Sequence, residues 1–126
     1  VQPKLKEVRQ LMEANLEEPL PLQDLAEYVQ LSRRQLERLF LKHLHSTPSR
    51  YYLKLRLDRA RRLLKQTSRS IVEITAMCGF VSTTHFSRCY RKYMGVSPKS
   101  DRAQGVPEVY QIFESELPPE GAEIAN

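Results

Sequence analysis

Two stretches of this sequence concentrate side chains able to make directed hydrogen bonds to an extended partner. In the first, Arg34 and Arg38 stand four residues apart, with Arg33 and Glu37 flanking them and Lys42 one turn on. In the second, Thr84, Arg88 and Arg91 fall on one helical stripe, with Thr83, His85 and Ser87 nearby and Lys92 following. A guanidinium offers two parallel N–H donors that match the acceptor edge of guanine, and Ser or Thr hydroxyls suit bases or phosphates. Short polar residues at a helix start also let the backbone approach a groove floor closely. The chemistry on offer is therefore recognition of a duplex edge rather than the making or breaking of bonds. Arg34, Arg38, Thr83, Thr84, His85 and Arg88 are the candidates for reading bases. Ser32, Arg33, Lys42, Ser82, Ser87, Arg91, Lys92 and Lys99 are the candidates for holding phosphates. Glu37 either accepts from cytosine or pairs with Arg33 at i, i+4, and the pair is the preferred reading.

Bond-making chemistry finds little here. His43, His45 and His85 have no ligand spacing with carboxylates or cysteines, so no metal is expected. Cys78 and Cys89 lack a zinc or redox spacing and sit among apolar neighbours, which reads as two buried thiols in a reducing cytoplasm. No nucleophile constellation and no phosphate loop is present, so neither an enzyme activity nor a cofactor is expected. No apolar run approaches membrane-spanning length, and there is no signal peptide.

The elements that must carry these side chains are helices. Good helix formers dominate, Gly is scarce at 4 residues, and strand-like alternation is hard to find, so the fold class is all-α. Leu5, Val8, Leu11, Met12 and Leu16 predict a helix near 3–16. A short helix follows near 22–29, with Leu22, Leu25, Ala26 and Val29 on one face. Ser32 and Gln35 form a capping box for a helix near 33–44 that buries Leu36, Leu39 and Phe40. Thr47-Pro48 opens a long helix, 48–66, with an apolar stripe of Leu53, Leu57, Ala60 and Leu64. Ser70 and Glu73 form a second capping box before a helix at 71–77. Ser82 caps a helix at 83–94 burying Phe86, Tyr90 and Met94, which Gly95 ends. Ser97-Pro98 opens a last short helix. Tyr51, Tyr52, Tyr90 and Tyr93 stand at helical spacing beside Leu, so core positions are expected of them rather than base stacking.

The pattern repeats. A shift of 50 residues lays Ser82 on Ser32, Phe86 on Leu36, Arg88 on Arg38, Tyr90 on Phe40, Lys92 on Lys42 and Pro98 on Pro48. Upstream of the turn the shift becomes 49, which lays Ile74 on Leu25 and Cys78 on Val29. A short helix, a tight turn and a longer helix with an outward polar face make a helix-turn-helix, present here twice. The expected organisation is a first subdomain at 1–47, a linker helix at 48–66, a second subdomain at 67–106 and a loosely held tail at 107–126.

Charge agrees with a polyanionic partner. Residues 1–102 hold all 20 Lys and Arg against 10 acids, a net +10, while residues 103–126 hold the other 5 acids and no base. Nucleic acid is the first partner such a basic body suggests. A helical protein-binding adaptor fits the excess less well.

Residues from about 5 to 102 resemble the AraC/XylS family of bacterial transcription regulators. The resemblance rests on Ile71-Val-Glu-Ile-Thr-Ala-Met-Cys-Gly-Phe80, on Phe86-Ser-Arg88-Cys-Tyr90, and on Gly95 and Pro98. Leu36-Glu-Arg38-Leu-Phe40, Pro48-Ser-Arg-Tyr51, Arg56-Leu57 and Ala60 fit the first-unit pattern. It implies a two-lobed domain binding double-stranded promoter DNA as a sequence-specific regulator, usually an activator that also touches RNA polymerase. Each lobe would set one helix into the major groove. The linker helix, about 28 Å long at 1.5 Å per residue, suits groove entries about one turn apart. The alternative is a module that targets a larger DNA-repair enzyme. Because the chain starts at Val1 rather than Met, an effector or dimerisation domain outside it is expected. Three residues depart from the family pattern. His45 stands where Gly is common, placing a side chain at a left-handed cap. Thr75 replaces a usual Ala, a small change. Asp101 replaces a usual aromatic whose repeat partner is Tyr51, so the last helix is expected to be short or poorly docked.

Overall fold

A computed structural model describes residues 2–104. They form seven α-helices and no strand. The helices are α1 (Pro3–Glu13), α2 (Leu22–Tyr28), α3 (Arg33–Leu44), α4 (Pro48–Gln66), α5 (Ile71–Met77), α6 (Thr83–Met94) and α7 (Pro98–Gln104). The acidic tail read at 107–126 lies outside the described residues. The chain divides between Arg56 and Leu57, inside α4, into two compact units.

The first unit packs Leu5, Val8 and Met12 of α1 against Leu25 and Ala26 of α2 and Leu36 and Phe40 of α3, all buried. Helix α1 ends at Glu13, three residues before the apolar pattern does, yet Leu16 still turns into the core. From α4 this unit takes Tyr52 rather than Leu53, which is only half-buried. The Tyr52 hydroxyl donates to the Asn15 carbonyl at 2.5 Å and accepts from Leu20 N–H at 3.0 Å. It thereby ties down the connection between α1 and α2. Burial, opposed by the Leu20 bond and Arg56, raises the pKa of this phenol.

In the second unit Leu57, Ala60 and Leu64 of α4 take the part of Leu5, Val8 and Met12, with the same i, i+3, i+7 spacing. Ile74 and Thr75 of α5 and Phe86 and Tyr90 of α6 are buried in the same unit. Thr75, the departure from Ala, is buried with its hydroxyl donating to the Ile71 carbonyl at 2.8 Å. Each fully buried Phe or Leu of these cores contributes about 1.5–3 kcal/mol.

Both capping boxes form. Ser32 Oγ accepts from Gln35 N–H at 3.0 Å while Gln35 Oε1 accepts from Ser32 N–H at 2.9 Å. Ser70 and Glu73 exchange the same pair at 3.0 and 2.9 Å. His45 adopts the left-handed conformation, φ 55°, that Gly95 adopts at φ 82°. Gln30, φ 59°, likewise stands where the second unit has Gly79, φ 83°. The first unit thus holds two side chains at backbone positions where the second holds glycine.

Asp101 overturns the expectation of a poorly docked last helix, since it is 1% exposed and anchors α7. Its carboxylate accepts from the Tyr90 hydroxyl, from Lys65 Nζ at 2.9 Å and from Arg61 Nε at 3.3 Å. The first unit solves the same problem with different chemistry. There Tyr51 meets Phe40 edge to face at 5.6 Å, and its hydroxyl accepts from Arg9 Nε at 2.9 Å. Moving from one unit to the other, Phe40 becomes Tyr90, Tyr51 becomes Asp101, and the arginine keeps its place. The hydroxyl gained at Tyr90 supplies the donor that Asp101 requires. Tyr52 has a counterpart as well. Arg102 donates to the carbonyls of Leu64 at 3.1 Å and Thr67 at 3.2 Å, binding the end of α4 as Tyr52 binds the end of α1.

Candidate nucleic-acid interface

Burial defines what the two longer helices offer outward. From Leu36 to Arg50 the sequence of buried, half-buried and exposed positions matches, residue for residue, that from Phe86 to Ser100. Leu36 and Phe40 anchor α3, and Phe86 and Tyr90 anchor α6, so in each unit the opposite stripe faces away from the core. On α3 that stripe is Arg34, Arg38 and Leu41, and on α6 it is Thr84, Arg88 and Arg91, each at i, i+4, i+7. All six are exposed.

Arg33, Lys42, His85, Lys92 and Lys99 are also exposed, while Thr83 and Ser87 are half-buried. None of the cations Arg33, Arg34, Arg38, Lys42, Arg88, Arg91, Lys92 and Lys99 has an ion pair or side-chain hydrogen bond among the described residues. Arg61 and Lys65 differ, both being committed to Asp101, and Arg102 is committed to backbone carbonyls. Cations left free of protein carboxylates keep their full charge for phosphates or base edges. On α3 a shallow depression of about 320 Å³ is lined by Gln35, Arg38, Leu39 and Lys42.

Ser32 and Ser82 are N-caps, accepting from Gln35 N–H and His85 N–H at 3.0 and 3.1 Å. Each hydroxyl therefore uses an acceptor lone pair inside the protein and retains its proton as a donor. Helix α6 lacks the return bond of a capping box, because His85 replaces Gln at the third position. The His85 ring packs instead near Phe80, 5.7 Å between centroids, and its Nε2 lies 3.7 Å from Cys89 Sγ. Cys89 is half-buried in that contact, not fully buried as its neighbours suggested, whereas Cys78 is buried. Tyr52 and Tyr90 are core residues, Tyr51 is half-buried, and Tyr93, expected inside, is 44% exposed.

Two features of this face escape a reading by residue type. Leu41 is 50% exposed on the outward stripe of α3, where the repeat places Arg91 on α6. The 50-residue shift pairs them, and an apolar residue facing an arginine was the available signal. Glu37 makes no ion pair with Arg33 among the described residues, although the spacing permits one. Among the described residues no group of three or more potential ligands could hold a metal ion, and no helix is long and apolar enough to cross a membrane.

Known proteins share this arrangement. The helix-turn-helix domain family matches residues 25–104. The HTH-type transcriptional regulator GbdR of Pseudomonas aeruginosa is 60% identical over 125 residues, 99% of this chain and 34% of the relative. The chain thus spans about a third of the length of the curated relatives it matches. A transcriptional regulator from Chromobacterium violaceum, described as an AraC-type DNA-binding domain-containing protein, superposes with a TM-score of 0.78 at 59% identity. That match covers 82% of this chain and 92% of that one. The DNA-binding domain of AdpA, a global transcriptional factor solved in complex with a target DNA, gives a TM-score of 0.76 at 31% identity. It covers 79% and 90% of the two chains. These relatives are described as regulators of transcription, which lends the repair-enzyme alternative no support.

Proposed function

This chain belongs to the AraC family of helix-turn-helix proteins, and we propose that it is the DNA-reading part of a bacterial transcription regulator acting as an activator. In this reading α3 and α6 each enter a major-groove segment of a promoter operator. Arg34 and Arg38 read bases in one segment, and Thr83, Thr84, His85 and Arg88 read them in the other. Arg33, Lys42, Arg91, Lys92 and Lys99 hold phosphates, joined by the hydroxyls of Ser32, Ser82 and Ser87. The observation that carries the reading is the residue-for-residue recurrence of burial from Leu36 and from Phe86 onward, which turns the equivalent, unpartnered Arg38 and Arg88 outward in both units. RNA polymerase is the second partner, the cytoplasm is the compartment, and an effector or dimerisation domain belongs to the part of the protein that longer relatives have beyond this chain.

The test is selection of bound sequences from a random duplex pool, with a salt titration on the selected site. One extended, non-palindromic motif is expected. If about 6–10 phosphates are neutralised, affinity falls by roughly three to five decades between 50 and 200 mM salt. Failure to enrich any motif, with affinity insensitive to salt, would refute the proposal.

A further inference from the structure

We infer that Glu37 is a specificity-determining residue of the α3 face, selecting cytosine at one position of the site; the inference rests on the DNA-reading function proposed above. Glu37 lies on a helix crowded with cations. Arg33, Arg34 and Arg38 are its neighbours at i−4, i−3 and i+1, and the first two spacings suit ion pairs. Neither pair forms, and Glu37 has no hydrogen bond or ion pair among the described residues. Its side chain is half-buried at the edge of the outward stripe, between the Arg34–Arg38 row and the core anchors Leu36 and Phe40. The equivalent position on α6 is Ser87, which carries no charge.

A carboxylate without a partner, on a surface that approaches a polyanion, opposes binding to almost every sequence. Phosphates repel it, and the groove strips its water without offering a donor in return. Cytosine relieves this, because its N4 amino group is a major-groove donor that a Glu carboxylate accepts. Adenine also has a donor there, but its N7 acceptor stands beside it and repels the second carboxylate oxygen. Guanine and thymine present no donor there. Glu37 therefore acts mainly by penalising the wrong bases, so specificity arises from a repulsive element as well as an attractive one. The two groove segments are then read with different stringency, since the α6 side has no matching acid.

The experiment is binding-site selection from a random duplex pool with the 126-residue chain, Glu37→Ala and Glu37→Gln, each checked by thermal melting. The parent is expected to require cytosine at one position, within a base pair or two of the position relaxed by Arg38→Ala. In Glu37→Ala the cytosine preference should fall about 5- to 150-fold, the range of one good side-chain–base contact. Its affinity for unrelated duplex should rise at the same time, because a negative charge is gone. Glu37→Gln keeps the shape and is expected to move the preference toward adenine, whose donor and acceptor pair with an amide. A purely structural role would lower melting temperature and binding to all sequences together, and that result overturns the inference. So does an unchanged preference at every position in both variants, which leaves the DNA-reading function standing. A parent chain that enriches no motif overturns both, and is told apart by that single control.

Discussion

Replacing Asp101 by Ala is expected to cost the second unit about 3–5 kcal/mol, the usual result of removing one partner from a buried charged cluster. The carboxylate is 1% exposed and accepts from three donors. Its loss takes the acceptor from the Tyr90 hydroxyl and one close carboxylate contact from Lys65, which is 17% exposed. At about 4–8 °C per kcal/mol for a small domain, the melting temperature should drop by at least about 12 °C. Hydrogen exchange localises the damage, with amides of α5, α6 and α7 losing protection before those of α1, α2 and α3. The geometry of the first unit supplies the repair. Tyr90→Phe with Asp101→Tyr rebuilds the Phe40–Tyr51 pair, with Arg61 in the place of Arg9. Tyr90→Phe alone removes one charge-assisted hydrogen bond, about 1.5–3 kcal/mol. The double variant should be more stable than the sum of the two single changes by at least about 1 kcal/mol. An Asp101→Ala cost below about 1 kcal/mol, or strict additivity in the double variant, refutes the account of this lock.

The same cluster sets a pH window. Burial pushes the Asp101 carboxyl up, but the Tyr90 bond and the Lys65 and Arg61 charges outweigh it and hold the pKa below its ordinary value. The unfolded chain then binds the proton first, so this stabilisation is intact above about pH 4 and disappears as pH falls through the lower folded-state value. Burial and the Asp101 bond raise the Tyr90 pKa far above 10, so stability also falls once pH exceeds about 10 and the unfolded phenol ionises. Asp101→Asn should flatten the acid limb, as followed by chemical denaturation at several pH values. Arg38→Ala and Arg88→Ala should each relax base preference in a different part of the site at about 1–3 kcal/mol, and altered preferences at the same positions in both would contradict two separate reading helices. Lys42→Ala and Lys92→Ala should weaken all sequences alike and lower the salt slope by about 1 each, as measured by salt titration. Gly95→Ala should destabilise by about 1 kcal/mol through backbone strain alone, since a Cβ there meets nothing within 4 Å. His45→Gly should stabilise by about 0.5–1 kcal/mol in a thermal melt, strain relief exceeding the entropy glycine adds to the unfolded chain.

Most helix boundaries were legible because caps announce them. Ser32, Ser70, Ser82 and Gly95 each sit where a terminal backbone group needs a partner or a positive φ; α3, α5 and α6 start after the three serines, and α6 stops at Gly95. The end of α1 was not legible, because Leu16 continues the apolar period after the helix has stopped. Reading α4 as one stripe from Leu53 assumed a single core, whereas its first half serves one unit through Tyr52 and its second half serves the other through Leu57, Ala60 and Leu64. Asp101 misled because a carboxylate in a core position looks like a defect until its partners are known, and those partners are 11, 36 and 40 residues away in sequence. The outward arginines of α3 and α6 were legible from periodicity and repetition. The unpartnered state of Glu37 was not, since spacing says where a pair can form and not whether it does.

The unlike locks of the two units bear on how the chain avoids entangling with itself. Adjacent repeats of similar sequence are prone to misassembly, in which a segment of one docks on its neighbour during folding. Here α7 and the start of α4 are equivalent pieces of the repeat, each opening on a buried proline followed by two exposed residues, so the two could compete for the same place. Asp101 placed against Phe40 would find no hydroxyl and would bury a charge beside a benzyl ring. Tyr51 placed against Tyr90 would displace the carboxylate that both Lys65 and Arg61 require. Each wrong closure gives up polar partners that the right one keeps, which favours every closing segment on its own unit and lets a duplicated fold be copied in one polypeptide with less trading of parts between its halves.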